Sequence, residues 1–285
     1  MTAPLDDPHR DALLAALSWQ IEAGVDECLG ETAQNRFEEI ARRPAAAAPE
    51  KKPPMPGRKP ASRPASPVPA ADDAIEAVTA AAALAKGAQT LDDLRRAIED
   101  FDGCSLKKGA RSTVFADGHS TARVMFIGEA PGRDEDRAGK PFVGRSGQLL
   151  DRMLATIGLD RQSDDPATAA YITNVLPWRP VDNRDPSTDE AVMLWSFLAR
   201  HIELAAPEMI VALGKTPSAV LTERPIAITR ERGRWLTPGR GGGRPVLLTF
   251  HPAYLLRSPH EKAKSWRDLM SLRAVLDGEA PKLEG

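Results

Sequence analysis

Four short apolar runs, Val124–Ile127, Tyr171–Leu176, Met209–Leu213 and Val246–Phe250, stand far apart along the chain. Each has the length and bounding turn residues of a buried strand rather than a helix. Between them the apolar positions shift to helical spacing, over Gly147–Ile157, Thr188–Leu204 and Thr216–Thr222. Gly158 stops the first of these helices and Pro207 follows the second. Strands alternating with helices predict an α/β fold, a parallel sheet covered on both faces. Two further helices are predicted over 73–86 and 90–100, where Leu91, Leu94 and Ile98 mark one face, and a last one from about Lys262 to Leu276.

The pattern near the N-terminus is different. Leu13, Leu14, Leu17, Ile21 and Val25 fall at helical spacing with Trp19 beside them, so residues 1–43 read as an amphipathic helical segment. Residues 44–72 then form a Pro/Ala-rich, basic linker: nine of the 25 prolines lie in 44–70, and Lys51, Lys52, Arg58, Lys59 and Arg63 face only Glu50. Such a stretch buries too little apolar surface to offset the entropy of ordering and is expected to be disordered. The helix before it is either a module for a protein partner or a segment that docks back on the main domain. Residues 73–285 form the main domain.

Net charge is −2 and the isoelectric point is near 6.3, so nucleic-acid binding would have to come from a local basic patch. Two distant cysteines, Cys28 and Cys104, exclude a disulfide framework and fit a reducing cytoplasm. No apolar run approaches bilayer length and no secretory signal is visible, so a cytoplasmic protein without membrane contact is expected.

Chemistry is expected where the strands end, because open α/β sheets bind ligands beyond the carboxyl ends of their strands. The first run leads into Gly128-Glu129-Ala130-Pro131-Gly132-Arg133-Asp134-Glu135-Asp136, closed by Pro141-Phe142-Val143-Gly144-Arg145. The other ends carry Asn174, Gly214-Lys215 and His251-Pro252. Singly, Asn174 reads equally well as a turn residue and His251 as a packed or capping one. Together they read as a pocket, an apolar wall with a few placed polar groups.

The motifs Gly-Glu-Ala-Pro-Gly at 128–132, Pro-Phe-Val-Gly-Arg at 141–145, Tyr-Ile-Thr-Asn at 171–174, Asn183-Arg184 and His-Pro-Ala-Tyr-Leu-Leu-Arg at 251–257 resemble, in order, those of family 4 uracil-DNA glycosylases. The resemblance spans residues about 91–276. It implies a three-layer α/β/α sandwich with a four-stranded parallel sheet, and hydrolysis of the N-glycosidic bond of deoxyuridine to leave an abasic site. Such an enzyme takes the base out of the stack and reads its Watson–Crick edge. Asn174 offers the amide donor and acceptor that match uracil's C4 carbonyl and N3–H, whereas cytosine presents the opposite pattern. By resemblance, Phe142 lies against the flipped ring and Glu135 sits near C5, where it excludes a thymine methyl. Glu129 and Ala130 supply backbone N–H groups, and Pro131 completes the uracil pocket. His251 donates to uracil O2 as negative charge develops there. Glu129 is the available carboxylate, with two roles open: general base, or a group that orients the pocket.

Tyr254, Leu255, Leu256 and Arg257 are placed on a loop as a minor-groove wedge, the competing reading being a short buried helix start. Arg184, with Arg179, Arg230, Arg232 and the Arg240–Arg244 glycine loop, is a candidate for phosphate contacts. The family usually carries a four-cysteine iron–sulfur cluster. Here only Cys104 stands at a ligand position, while Phe101, Trp178 and Leu194 occupy the other three. One thiolate cannot replace four, so no cofactor and no metal are expected, with the three apolar side chains packing around Cys104. Uracil-containing DNA is the expected partner and a nucleoid-associated bacterial monomer the expected form. The competing functions are a glycosylase for hypoxanthine or xanthine, against which Asn174 argues, and a non-catalytic damage-binding subunit.

Overall fold

The structure, a computed structural model, describes residues 71–283. The predicted N-terminal helix and the linker lie outside the described residues, except Ala71 and Asp72, which open the first helix. In chain order the helices are α1 (Ala71–Gly87), α2 (Leu91–Asp100), α3 (Ser105–Gly109), α4 (Arg133–Ala138), α5 (Arg145–Ala155), α6 (Thr188–Ala205), α7 (Lys215–Thr222), α8 (Ile228–Glu231), α9 (Pro252–Arg257) and α10 (Lys262–Leu276). The strands are β1 (Ala116–Gly118), β2 (Val124–Gly128), β3 (Ala170–Asn174), β4 (Met209–Leu213), β5 (Trp235–Leu236) and β6 (Val246–Thr249).

The four predicted runs become β2, β3, β4 and β6, and they are parallel neighbours. The sheet is nevertheless six-stranded and mixed, in the order β1-β3-β2-β4-β6-β5, which corrects the four-stranded expectation. β1 and β5 add antiparallel edges. An Ala-Asp-Gly tripeptide and a Trp-Leu pair are too short to carry a period of two, so neither left a hydrophobic signal. The predicted run Tyr171–Leu176 also stops short as a strand. Val175 and Leu176 leave the ladder, although their N–H groups still reach Gly128 O (2.9 Å) and Glu129 O (3.1 Å).

The central strands are buried on both faces, and alternate side chains divide two cores. Met125, Ile127, Ile210, Ala212, Val246 and Leu248 face one cluster, which includes residues of α1, α2, α6 and α7. Val124, Phe126, Ile172, Val211 and Leu247 face the other, with Leu150 and Leu154 of α5 and Leu269 and Leu272 of α10. Ala77, Ala81 and Ala85, one turn apart, are buried and let α1 lie close to α6. Asp93 and Glu190 close reciprocal caps with Thr90 and Ser187, fixing the starts of α2 and α6. The chain leaves β2 for β3 on one side and returns to β4 on the other, so the crevice for a ligand opens where the β2 and β4 loops diverge.

Candidate active site

The loop after β2 is held by one carboxylate. Glu135 is buried; its Oε2 accepts from the Gly132 N–H (3.1 Å) and its Oε1 from Val143 (3.0 Å) and Gly144 (2.9 Å). These bonds clamp the strand-side and helix-side arms of the loop and present Phe142 between them. Asp136, also buried, receives the N–H groups of Arg111 (2.8 Å) and Ser112 (3.2 Å) and ties the loop to the segment before β1. Two glycines make room. A Cβ on Gly128 would stand 2.6 Å from the Phe142 ring and 2.4 Å from Asn174 Oδ1, and one on Gly147 would meet Phe142 O at 1.8 Å.

Asn174 ends β3 opposite Gly128, and its Oδ1 is buried without a hydrogen-bond partner in the protein. A buried amide oxygen left unpaired is costly, which marks it as an acceptor for a ligand N–H. His251 ends the β6 segment and caps α9: its Nδ1 accepts from the Ala253 N–H at 3.1 Å. With Nδ1 an acceptor, the neutral ring carries its proton on Nε2. Burial, assisted by the charge of Arg257, lowers the His251 pKa to about 4, so the ring is neutral near pH 7. Its imidazole stacks on Phe142 with centroids 5.3 Å apart.

Glu129 leaves β2 and crosses the crevice, where its Oε2 accepts from Thr216 Oγ1 at 2.5 Å. Burial raises its pKa, against the Thr216 bond; the Asp185 charge raises it further and Lys215 opposes. Thr216 escaped the sequence reading, although it directly follows Gly214-Lys215 at the β4 end. A hydroxyl opening a helix has a bland capping role, and nothing local announced its partner 87 positions away.

A cavity of about 350 Å³ gathers these groups: Glu129, Ala130, Pro131, Glu135, Phe142, Asn174, His251, Tyr254, Arg184 and Arg257 all line it, with Asn183 and Asp185 beside them. The placement of this segment on a loop is corrected. Tyr254 to Arg257 are helical, in α9, and Leu255 is buried against Leu149 and Phe250 with Leu256 partly buried on the same cluster. Tyr254 leans on Phe250 at 4.9 Å, and only Arg257 of the four is exposed. Arg184 is engaged by both oxygens of Glu190 (2.9 and 2.5 Å), so its guanidinium serves the start of α6. Arg179 donates to Asn183 Oδ1 (2.7 Å), Arg240 pairs with Glu223 (3.0 Å) over the Trp195 ring, and Arg244 donates to Pro207 O (2.7 Å).

At the expected cluster positions the residues do not fit an iron–sulfur group. Phe101, Cys104, Trp178 and Leu194 are all buried members of one continuous apolar core. Phe101 packs edge-on to Phe197 at 5.4 Å, and the Trp178 indole N–H donates to Thr113 Oγ1 at 3.1 Å. Burial raises the pKa of the Cys104 thiol, which disfavours the thiolate a metal requires. No group of three or more His, Cys, Asp or Glu side chains is arranged to hold a metal ion among the described residues.

Comparison with known proteins agrees with this geometry. The family model of the Uracil DNA glycosylase superfamily matches residues 115–270. The type-4 uracil-DNA glycosylase of Thermotoga maritima is 38% identical over 165 residues, covering 56% of this chain and 80% of that protein. The type-4 uracil-DNA glycosylase of Archaeoglobus fulgidus is 36% identical over 200 residues, 68% of this chain and 98% of that protein. That of Saccharolobus solfataricus is 34% identical over 200 residues, 68% of this chain and 90% of that protein. With the motifs lining one cavity at the carboxyl edge of an α/β sheet, the chain belongs to the uracil-DNA glycosylase superfamily.

Proposed function

We propose that this protein hydrolyses the N-glycosidic bond of deoxyuridine in DNA, releasing uracil and leaving an abasic site for repair. The observation that carries the reading is the meeting of three complementary groups in one cavity. These are an unpaired buried amide oxygen on Asn174, an apolar ring on Phe142, and a neutral imidazole whose free proton is on Nε2. Asn174 Oδ1 accepts from uracil N3–H and its amide donates to the C4 carbonyl. As the C1′–N1 bond lengthens, the bonding pair moves onto the base and is spread to O2. The His251 Nε2–H then bonds a fuller charge in the transition state than in the ground state. A neutral donor of this kind stabilises the anion without transferring its proton.

Water must add to C1′ and lose a proton. Thr216 occupies Oε2 of Glu129, leaving Oε1 to orient that water and to oppose the oxocarbenium charge. Glu135, with both oxygens bonded to backbone N–H groups, holds the loop that carries Phe142 and walls the C5 side against a methyl group. The chain works without an iron–sulfur cluster: purified protein is expected to be colourless and iron-free, and chelators to leave its activity unchanged.

The test is release of base from a uracil-containing oligonucleotide, followed by alkaline cleavage, with inosine and thymine-mismatch substrates alongside. Asn174→Ala and His251→Ala are each expected to slow uracil release by about 100-fold or more while remaining folded. Wild-type rates in either folded variant would remove that residue from the mechanism, and faster release of hypoxanthine than uracil would replace the substrate.

A further inference from the structure

A second cavity, about 570 Å³, opens at the β5 edge of the sheet and is lined by Arg230, Arg232, Arg234 and Arg267, with Asp268 the acid in its wall. On a chain of net charge −2, four guanidinium groups around one opening are a strong local excess of positive charge. Two of them are structural. Arg232 donates from Nε to the buried Asp268 carboxylate (2.8 Å) and from Nη2 to Lys264 O (2.8 Å). Arg234 lies 3.6 Å from Glu231, which also pairs with Arg224. Arg230 and Arg267 differ: both are exposed, and neither side chain pairs with an acid among the described residues. Burial and the neighbouring Arg267 charge hold the Arg232 pKa below its ordinary value, with Glu261 opposing.

The cavity is tied to the same rim as the candidate active site. Just ahead of β5, the Gly233 N–H donates to Leu248 O of β6 at 2.6 Å and the Leu248 N–H to Arg234 O at 3.0 Å. Asp268 accepts from Thr249 Oγ1 at 2.7 Å, two residues before His251. At about 3.3 Å per extended residue this link lies ~7 Å of chain from His251.

We propose that Arg230 and Arg267 bind a backbone phosphate of the DNA strand flanking the nucleotide held in the candidate active site, with Arg232 and Arg234 as the fixed wall behind them. The inference rests on the reading of the protein as a DNA glycosylase. A phosphodiester matches the fork of a guanidinium, which donates two parallel N–H bonds to an anionic oxygen pair. The contact is blind to sequence and fixes the register of the strand.

The test compares wild type with R230A/R267A. Dissociation constants for a uracil-free oligonucleotide are measured over a range of salt, and uracil release is measured at saturating DNA. Loss of one phosphate contact is expected to weaken binding roughly tenfold near 0.1 M salt and to lower the slope of log K against log salt by about 0.9. The saturated rate is expected to stay at the wild-type level and KM to rise. Unchanged affinity and slope overturn the inference, as does a lost saturated rate with binding intact. R230K/R267K keeps the charge and is expected to retain the slope. Thermal melting confirms folding, and R267E alone repeats the test if the double variant does not fold. A wild type that releases no uracil, but whose salt slope falls in R230A/R267A, would sink the glycosylase reading and leave the phosphate site standing. Uracil release with an unmoved slope does the reverse.

Discussion

Phe142 takes a left-handed backbone conformation, φ 53°, which costs a residue with a Cβ of order 1–3 kcal/mol. The three N–H bonds to Glu135 and the tight approach of Gly147 over-determine that conformation, so the ring is held where a base would stack. Gly128→Ala is therefore expected to fold yet to displace the Phe142 ring and the Asn174 amide, lowering uracil release about 100-fold, the penalty typical of a misplacement near 1 Å. Unaltered release would mean that neither group needs its observed position. Thr216 offers a finer test. Its bond opposes the burial that raises the Glu129 pKa. In Thr216→Val the carboxylate is expected to titrate at higher pH, moving the acidic limb of the kcat/KM profile upward, while Thr216→Ser restores it. An unmoved limb would take Thr216 out of this role. Asn174 and His251 could be placed at one rim from the sequence because His251 directly follows an apolar run and Asn174 falls near the end of another. Thr216 was not, since its meaning lies in a partner on another strand's loop.

At the scale of elements, long periodic segments were legible and short ones were not. α10 runs over Lys262–Leu276 as its spacing predicts, whereas the two-residue β5 and six-residue α9 carry too few positions to define a face. That is why the sequence reading places Leu255 in a wedge, with a buried helix start as the competing reading. Only the packing of α9 on Leu149 and Phe250 decides for core. The four expected cluster positions are the opposite case, picked out in the sequence by counting thiols. Phe101 follows α2, Cys104 precedes α3, Trp178 follows β3 and Leu194 lies on α6, so one apolar core joins these four elements. Trp178→Ala is expected to cost about 3–5 kcal/mol in urea unfolding, the range for removing a fully buried large aromatic. Cys104→Ala, a much smaller deletion, is expected to cost less and to keep uracil release at wild-type level. Iron at stoichiometric amounts in the wild type, or inactivity of a folded Cys104→Ala, would overturn the apolar replacement.

Two buried histidines, His201 and His251, are kept neutral by burial, and together they shape the domain's response to acid. His201 is buried: its Nε2 and the Tyr171 hydroxyl share a hydrogen bond of 2.8 Å, and the Phe115 ring stacks on it at 4.4 Å. Burial lowers the His201 pKa to about 3, as it lowers that of His251 to about 4, against an ordinary 6.5. The unfolded chain therefore binds protons first as pH falls. The stability these rings contribute is complete above about 6.5 and is lost progressively as pH drops through 6.5 toward 4 for His251 and 3 for His201. Glu190, whose pKa lies below its ordinary value through its Arg184 and Ser187 bonds despite burial, adds loss only in the more acidic part of that range. Glu129, with a raised pKa, acts with the opposite sign. Urea midpoints are thus expected to begin falling near pH 6.5, well above the carboxylate range. The double variant Tyr171→Phe/His201→Leu removes one titrating ring without stranding its hydroxyl partner, and its stability is expected to fall with pH by about one proton less between 6.5 and 4. A parallel slope in that variant would show that the buried pair does not couple folding to acid. The same variant leaves the candidate active site untouched, so its uracil release near neutral pH is expected to match wild type and separates a folding effect from a catalytic one.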